Sequence, residues 1–272
     1  MKVTLYYFSG TGNSLFIART IKAEMEKEEA QGRVVRIIAI QNLLDETVIE
    51  DQSDIIGIIY PTYFLDAPEV VKGFARRLQA PEDSYLFLYA NYGDILGNAL
   101  HTMNRILEKN GVNGNYEVAL PDNSIVYETK KEKIPGMLET AEQIIKGHAK
   151  EIIERADTKK SSYHLGGHII SLFMKPFSKK IMGFYKMKVE ESVCTGCGLC
   201  EKVCPMKNIQ MKETQSGSKV PAFDTRCESC FSCTHFCPQE AIRYQNMSMK
   251  KTDFQYHHPA VSVKEMIDAN KK

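Results

Sequence analysis

Residues 194–205 read CTGCGLCEKVCP, and residues 227–238 repeat the same cysteine spacing as CESCFSCTHFCP. Both copies follow the pattern C-x2-C-x2-C-x3-C-P, and together they contain all eight cysteines of the 272-residue chain. The first three cysteines of each run lie on one tight loop, and the proline turns the chain away after the fourth. The repeat therefore predicts a small domain built from two similar halves.

This spacing is that of cysteine runs that hold [4Fe–4S] clusters, in which the fourth cysteine of each run ligates the cluster of the other run. Gly196 and Gly198 allow the first run to close on its cluster, whereas ordinary residues must supply the backbone amides of the second run. The pattern assigns one cluster to Cys194, Cys197, Cys200 and Cys237, and the other to Cys204, Cys227, Cys230 and Cys233. The side chains expected to cover the clusters are Val193, Leu199, Ile209, Phe231, Phe236 and Ile242.

Zinc and disulfides are the alternative uses of these cysteines. Zinc sites usually separate two C-x2-C pairs by a long spacer, whereas three cysteines crowd together in each half here, which favours iron–sulfur clusters. A disulfide framework is less favoured, because a chain of this length can build a core without covalent staples. The start, MKVTLYYFSGTG, has no charged and then apolar leader, so we expect a reduced, cytoplasmic protein.

Length and charge limit the remaining possibilities. A chain of 272 residues predicts about two domains. The net charge of +1 gives no case for nucleic acid as a partner, and no apolar run approaches the roughly 20 residues that span a membrane. We expect a sheet domain over residues 1–157, a connector over 158–188, a cysteine-rich domain over 189–245 and a polar tail with one short helix over 246–272.

Before residue 157 the sequence alternates apolar runs with helical patterns, which predicts a parallel sheet with helices on both faces. Helices are expected near residues 14–28, 68–78, 95–111 and 134–155. The five expected strands are KVTLYYF (2–8), VVRIIAI (34–40), SDIIGIIY (53–60), SYLFLYA (84–90) and NYEVAL (115–120). This order predicts a flavodoxin-like, doubly wound α/β domain.

In such sheets ligands bind beyond the carboxyl ends of the strands, and three loops there are unusual. The first loop (residues 8–14, FSGTGNS) places hydroxyls and glycines before a helix, which suits a phosphate, although a tight turn with a helix cap is the alternative. It lacks the third glycine of the dinucleotide fingerprint and the lysine of a P-loop. The second loop (residues 60–68) and the third loop (residues 90–94) each carry a tyrosine, which can stack on a flat ring or simply pack in the core.

FSGTGNS resembles the phosphate loop of flavodoxins, and PTYF and NYGD fall where flavodoxins have their two isoalloxazine loops. With the double cysteine run, nearly the whole chain resembles the flavodoxin–ferredoxin fusion proteins (EFR-type ferredoxins) of anaerobic bacteria and archaea. One departure is Asn13-Ser14, where many flavodoxins have a threonine followed by an acid. The resemblance implies FMN, with its phosphate on Ser9, Thr11, Gly12, Asn13 and Ser14 and its ring between Thr62, Tyr63 and Phe64 on one side and Asn91, Tyr92, Gly93 and Asp94 on the other.

The connector is basic and rich in aromatic residues and methionine. It can lie on a membrane surface or pack between the two domains, and the second is favoured because Pro176 and Gly183 interrupt any long helix. His164 and His168 are four residues apart, but no third metal ligand is near them in the sequence.

The expected function is electron transfer between two [4Fe–4S] clusters and an FMN, with redox proteins as partners. A flavin can hold one or two electrons, so the chain would link one-electron and two-electron partners. A flavin-dependent reductase with Tyr63, Tyr92 or His101 as proton donor is the second hypothesis. An iron–sulfur sensor is the third, although no DNA-binding element supports it.

Overall fold

The computed structural model describes residues 1–27, 32–124, 128–158, 187–244 and 255–271. We call residues 1–158 the sheet domain, 187–244 the cysteine domain and 255–271 the terminal segment. Most of the predicted connector, with His164 and His168, lies outside the described residues.

Five parallel strands in the order β2-β1-β4-β6-β7 form the main sheet. They are β1 (Lys2–Tyr7), β2 (Val34–Ala39), β4 (Ile55–Pro61), β6 (Tyr85–Tyr92) and β7 (Val112–Ala119), while the two-residue strands β3 (Ile49–Glu50) and β5 (Leu78–Gln79) pair with each other. Numbered within the main sheet alone, the order is 2-1-3-4-5, which is that of flavodoxin-like domains. The predicted fold class is therefore confirmed.

Four helices cover the two faces of this sheet: α1 (Asn13–Lys27), α2 (Glu69–Ala75), α3 (Ala99–Ile106) and α4 (Ile134–Ile153). The central strands β4 and β6 are buried along nearly their whole length, because helices lie on both sides of them. Gly57 of β4 makes room for a large neighbour, since a Cβ there would lie 2.3 Å from Cζ of Phe87. The helix α3 begins later than predicted, after a turn in which Gly97 has a left-handed φ of 65°.

The cysteine domain has two similar halves, as its sequence predicts. Its elements are β8 (Met187–Val189), α5 (Leu199–Val203), β9 (Ile209–Glu213), β10 (Lys219–Phe223), α6 (Ser232–His235) and β11 (Ile242–Tyr244). The strands β9 and β10 form the expected antiparallel hairpin, which turns at Gly217. The strands β8 and β11 pair antiparallel and bring the two ends of the domain together.

The terminal segment packs on the sheet domain through the short helix α7 (Val263–Asp268). Ser262 and Glu265 form a capping box at its start, and Glu265 also pairs with Arg19 of α1 at 2.6 Å. Val261 and Met266 are buried in a hydrophobic cluster that contains side chains of the sheet, of α1 and of the cysteine domain. In the described part of the chain, no helix is both long and apolar enough to cross a membrane.

Candidate functional site

The eight cysteines form two sets, each made of the first three cysteines of one run and the last cysteine of the other run. In the first cysteine set (Cys194, Cys197, Cys200 and Cys237), the pKa of Cys200 is raised to about 12, mainly by burial and also by the charges of the other three members. All four members line one pocket of the cysteine domain. The fold thus brings the last cysteine of the second run to the first three cysteines of the first run.

The second cysteine set (Cys204, Cys227, Cys230 and Cys233) is more deeply buried. Burial raises the pKa of Cys230 well above that of an ordinary thiol, and among the charges that raise it further the largest effect is that of Cys204. The pKa of Cys233 is raised in the same way, first by burial and then by Cys227 and Cys204. Thiols of this kind ionise when they bind a metal, so cluster binding must release protons.

The backbone of both runs follows the same course. Gly196 and Gly198 have left-handed φ values of 68° and 72°, and Ser229 and Phe231 at the equivalent places of the second run both have φ of 55°. Backbone N–H groups point at the sulfurs: Asn208 donates to Cys204 at 3.4 Å and Ala241 donates to Cys237 at 3.3 Å, again at equivalent places. Such N–H donors stabilise thiolate ligands of iron–sulfur clusters.

Each set supplies the four cysteine ligands that a four-iron cluster requires. Each sulfur around a cubane binds a different iron, so the four sulfurs lie farther apart than the ligands of one ion. Among the described residues, no three His, Cys, Asp or Glu side chains converge on one metal ion.

The apolar cover of the two sets differs in one respect from the prediction. Ile209, Phe231, Phe236 and Ile242 are buried, but Val193 leaves 40% of its surface exposed. The prediction for Val193 is therefore wrong, because it precedes the first run on the outer side of the domain. The first set is itself the outer one: Cys197 is exposed and Cys194 half-buried, whereas Cys230 and Cys233 are buried.

The first loop presents three buried hydroxyls, those of Ser9, Thr11 and Ser14. Each of them accepts an N–H: Gly12 donates to Ser9 at 3.0 Å, Asn123 to Thr11 at 3.2 Å and Asn91 to Ser14 at 2.7 Å. A hydroxyl that accepts in this way keeps its own O–H to donate. No acceptor for these three O–H groups is found among the described residues, so the loop fits an oxyanion at the start of α1.

The side chain of Asn13 makes hydrogen bonds to residues outside the first loop. It donates to the carbonyl of Pro121 at 3.1 Å and accepts from the hydroxyl of Tyr256 at 2.8 Å. Gly12 has a φ of 98°, and a Cβ there would lie 2.9 Å from Cβ of Val261. The terminal segment therefore covers the outer side of the first loop.

The second and third loops meet the first at the same edge of the sheet. Thr62 donates its backbone N–H to Asn91 at 2.8 Å, and the side chain of Asn91 reaches both Ser14 and the carbonyl of Tyr60. Asn91 thus joins the three loops. The Thr62 Oγ1 atom is buried with no hydrogen-bond partner in the described part of the chain, which leaves one polar atom free for a ligand.

The other residues that are predicted to contact the isoalloxazine ring differ in backbone conformation and in burial. Phe64 adopts a left-handed φ of 52° in the second loop. In the third loop, Gly93 lies against Asp122, to whose Oδ2 a Cβ would approach within 2.6 Å, and Asp94 is exposed. Burial raises the pKa of Tyr63 well above its usual range and also raises that of Tyr92, so both phenols stay protonated near neutral pH. His101 lies in the first turn of α3.

The second cysteine set lies directly against these loops. The carbonyl oxygen of Cys230 occupies the space beside Gly10, where a Cβ would approach it within 2.3 Å. The carboxylate of Glu228 accepts the backbone N–H of Glu69 at 3.2 Å, at the start of α2. One hydrophobic cluster also runs through both domains and contains Phe8, Tyr60, Met206 and Phe231.

Three residues of this junction have no place in the sequence prediction: Asn123, His235 and Tyr256. The rule that ligands collect at the carboxyl ends of strands would have drawn attention to Asn123, in the polar loop PDNS after β7. No local pattern marks His235 between two cluster cysteines, or Tyr256 in a polar tail.

Comparison with known proteins identifies the family of the cysteine domain. Residues 193–242 match the family model of the 4Fe-4S dicluster domain. The chain is 35% identical over 66 residues to an uncharacterised ferredoxin of Methanocaldococcus jannaschii, and the match covers 84% of that protein and 24% of this chain. The chain belongs to the ferredoxin family.

A second relative is an uncharacterised protein of the same organism, to which this ferredoxin is 31% identical over 78 residues. The match spans 26% of that relative and 29% of this chain. Among solved structures, a flavodoxin of Streptococcus pneumoniae has a TM-score of 0.39 at 14% identity and covers 57% of the chain with its whole length. A flavodoxin of Megasphaera elsdenii has a TM-score of 0.34 at 20% identity, and the match covers 54% of this chain and 98% of that one. The flavodoxin-like assignment of the sheet domain rests on its strand order.

Proposed function

We propose that this ferredoxin carries electrons between its two [4Fe–4S] clusters and an FMN bound at the three loops. The observation that supports the proposal most is the packing of Cys230 against Gly10, which joins a cluster-binding loop to the loop that fits a phosphate. A ferredoxin that acted alone would have no need to bury that cysteine loop against a second ligand site.

The FMN would be held by residues of all three loops. Ser9, Thr11 and Ser14 would donate their O–H groups to its phosphate, together with the first backbone N–H groups of α1. Thr62, Tyr63 and Tyr92 would contact its ring. When bound, FMN supplies the ability to accept one or two electrons, whereas each cluster carries one.

The burial of the two cysteine sets supports different roles for them. Cys197 and Cys194 of the first set are accessible at the surface, where a redox protein can approach. Cys230 and Cys233 of the second set are enclosed between the two domains. We infer that external redox proteins exchange electrons at the first set and that the second set lies between it and the flavin.

The flavin half of the proposal is tested by Thr11→Val, which removes one hydroxyl and keeps the shape of the side chain. A hydrogen bond to a charged group contributes about 1.5–3 kcal/mol, so we expect FMN to bind at least about tenfold more weakly. The measurement is quenching of flavin fluorescence by the anaerobically reconstituted protein. Thr20→Val, in the middle of α1, is the matched control and should bind FMN as the wild type does. Failure of the cluster-loaded wild type to bind FMN at all would contradict the proposal.

A further inference from the structure

We propose that Asn123 is a positioning residue that holds the first loop and the loop of the second cysteine set in a fixed arrangement. The part of this inference that concerns flavin rests on the proposed function, whereas the part that concerns the cysteine loop does not. Asn123 itself belongs to neither of the loops that it joins.

The side-chain amide of Asn123 contacts both loops at once. Its Nδ2 atom donates to Oγ1 of Thr11 at 3.2 Å and to the backbone carbonyl of Cys230 at 3.3 Å. An amide nitrogen carries two hydrogens, so it can serve two acceptors at the same time. The hydroxyl of Tyr63, in the second loop, is buried beside the same amide.

The backbone of Asn123 is held independently, by His235. The Nδ1 atom of His235 lies 3.1 Å from the backbone N–H of Tyr256 and must accept from it. Its hydrogen is therefore on Nε2, which lies 2.7 Å from the carbonyl oxygen of Asn123 and donates to it. This bond fixes the position from which the amide side chain reaches Thr11 and Cys230.

The two contacts affect different properties. By donating to Thr11, Asn123 turns the threonine O–H towards an anion in the first loop. By donating to the carbonyl of Cys230, it fixes a peptide group next to a cluster ligand and orients the dipole of that group. The two loops touch at Gly10, where a Cβ would approach the carbonyl oxygen of Cys230 within 2.3 Å.

The test is Asn123→Ala in the full-length protein with both clusters loaded. This change removes the amide but leaves the backbone bond to His235. We expect FMN to bind about 3- to 10-fold more weakly, from the loss of one hydrogen bond. We also expect a changed EPR signal of the reduced cluster on the second set, and an unchanged signal of the cluster on the first set. The signal of the second set is identified with Cys227→Ser, which changes one of its ligands.

Two control variants separate this role from general destabilisation. Asn110→Ala removes an asparagine amide that donates to the carbonyl of Leu78, at the other end of the sheet, and should leave FMN binding and both EPR signals unchanged. Thr11→Val should weaken FMN binding and leave the EPR signal of the second set unchanged. Of the three variants, only Asn123→Ala should change both FMN binding and the EPR signal of the second set.

The inference is overturned if Asn123→Ala leaves the second EPR signal unchanged, or if it changes the signals of both clusters equally. If the wild type binds no FMN, the proposed function fails, and the EPR comparison together with hydrogen exchange of residues 8–14 still decides whether Asn123 positions the two loops. Faster exchange of those residues in Asn123→Ala than in Asn110→Ala supports the inference, and equal exchange contradicts it.

Discussion

At the scale of single residues, the two cysteine runs share a left-handed backbone conformation at two equivalent positions, although the residues at these positions differ. Gly196 and Gly198 take left-handed conformations in the first run, and Ser229 and Phe231 take the same conformations in the second. Residues with a Cβ are strained there, by about 1–2 kcal/mol each. The second run therefore holds strain that the surrounding contacts must offset, and the buried ring of Phe231 is one such contact.

Gly198→Ala tests the cost of this conformation. A Cβ at Gly198 meets only Cγ of Met211, at an ordinary distance of 3.8 Å, so backbone strain is its main effect. We expect the free energy of unfolding of the cysteine domain to fall by about 1–2 kcal/mol in anaerobic denaturant titrations.

Gly147→Ala is the matched control for this substitution. Gly147 lies inside α4 with open space around it, so alanine there should stabilise the sheet domain by up to about 1 kcal/mol. If the two substitutions change the free energy of unfolding by the same small amount, the left-handed conformation at Gly198 carries no strain for alanine, which contradicts the prediction.

At the scale of structural elements, the terminal segment holds the two domains together. His258 stacks on Phe16 of α1 at 3.9 Å, and its backbone N–H donates to Thr11 of the first loop. On the side of the cysteine domain, His257 stacks on Phe236 at 4.9 Å, and Asn270 donates to the carbonyl of Lys202 at 2.9 Å. The segment therefore contacts α1, the first loop and both halves of the cysteine domain.

Acid should loosen this segment. The pKa of His258 is lowered to about 4, mainly by burial and also by the charges of Arg19 on α1 and of the neighbouring His257, whereas Glu142 on α4 opposes the shift. The unfolded value is about 6.5, so the stability that neutral His258 contributes is complete above that pH and is lost as the pH falls from about 6.5 towards 4. We expect hydrogen exchange of residues 255–271, corrected for intrinsic rates, to be about tenfold faster at pH 5 than at pH 7.

His258→Gln is the control, because it cannot take up a proton in this range. Its segment should exchange at similar corrected rates at both pH values. A wild-type segment whose corrected exchange does not change between pH 7 and pH 5 would contradict the role given to His258.

At the scale of the whole molecule, much of the architecture follows from the sequence, for physical reasons. Cysteine spacing is local, so the runs at residues 194–205 and 227–238 reveal their chemistry without any knowledge of the fold. The apolar runs of β4 and β6 are also visible in the sequence, because central strands covered by helices on both faces need apolar side chains at nearly every position.

The contacts between the domains do not follow from the sequence. Asn123, His235 and Tyr256 meet only because distant parts of the chain pack together. The exposure of Val193 likewise depends on which side of the cysteine domain remains uncovered. Local patterns carry no information about such packing.

In the whole molecule the second cysteine set lies against the first loop, at Gly10, whereas Cys197 of the first set is exposed. An anaerobic redox titration followed by both EPR and visible absorbance tests this account most directly. We expect about eight irons and one flavin per chain, with two distinct reduced-cluster signals and a flavin spectrum that titrates with them. A chain that carries its full iron content but neither contains nor takes up flavin would contradict it.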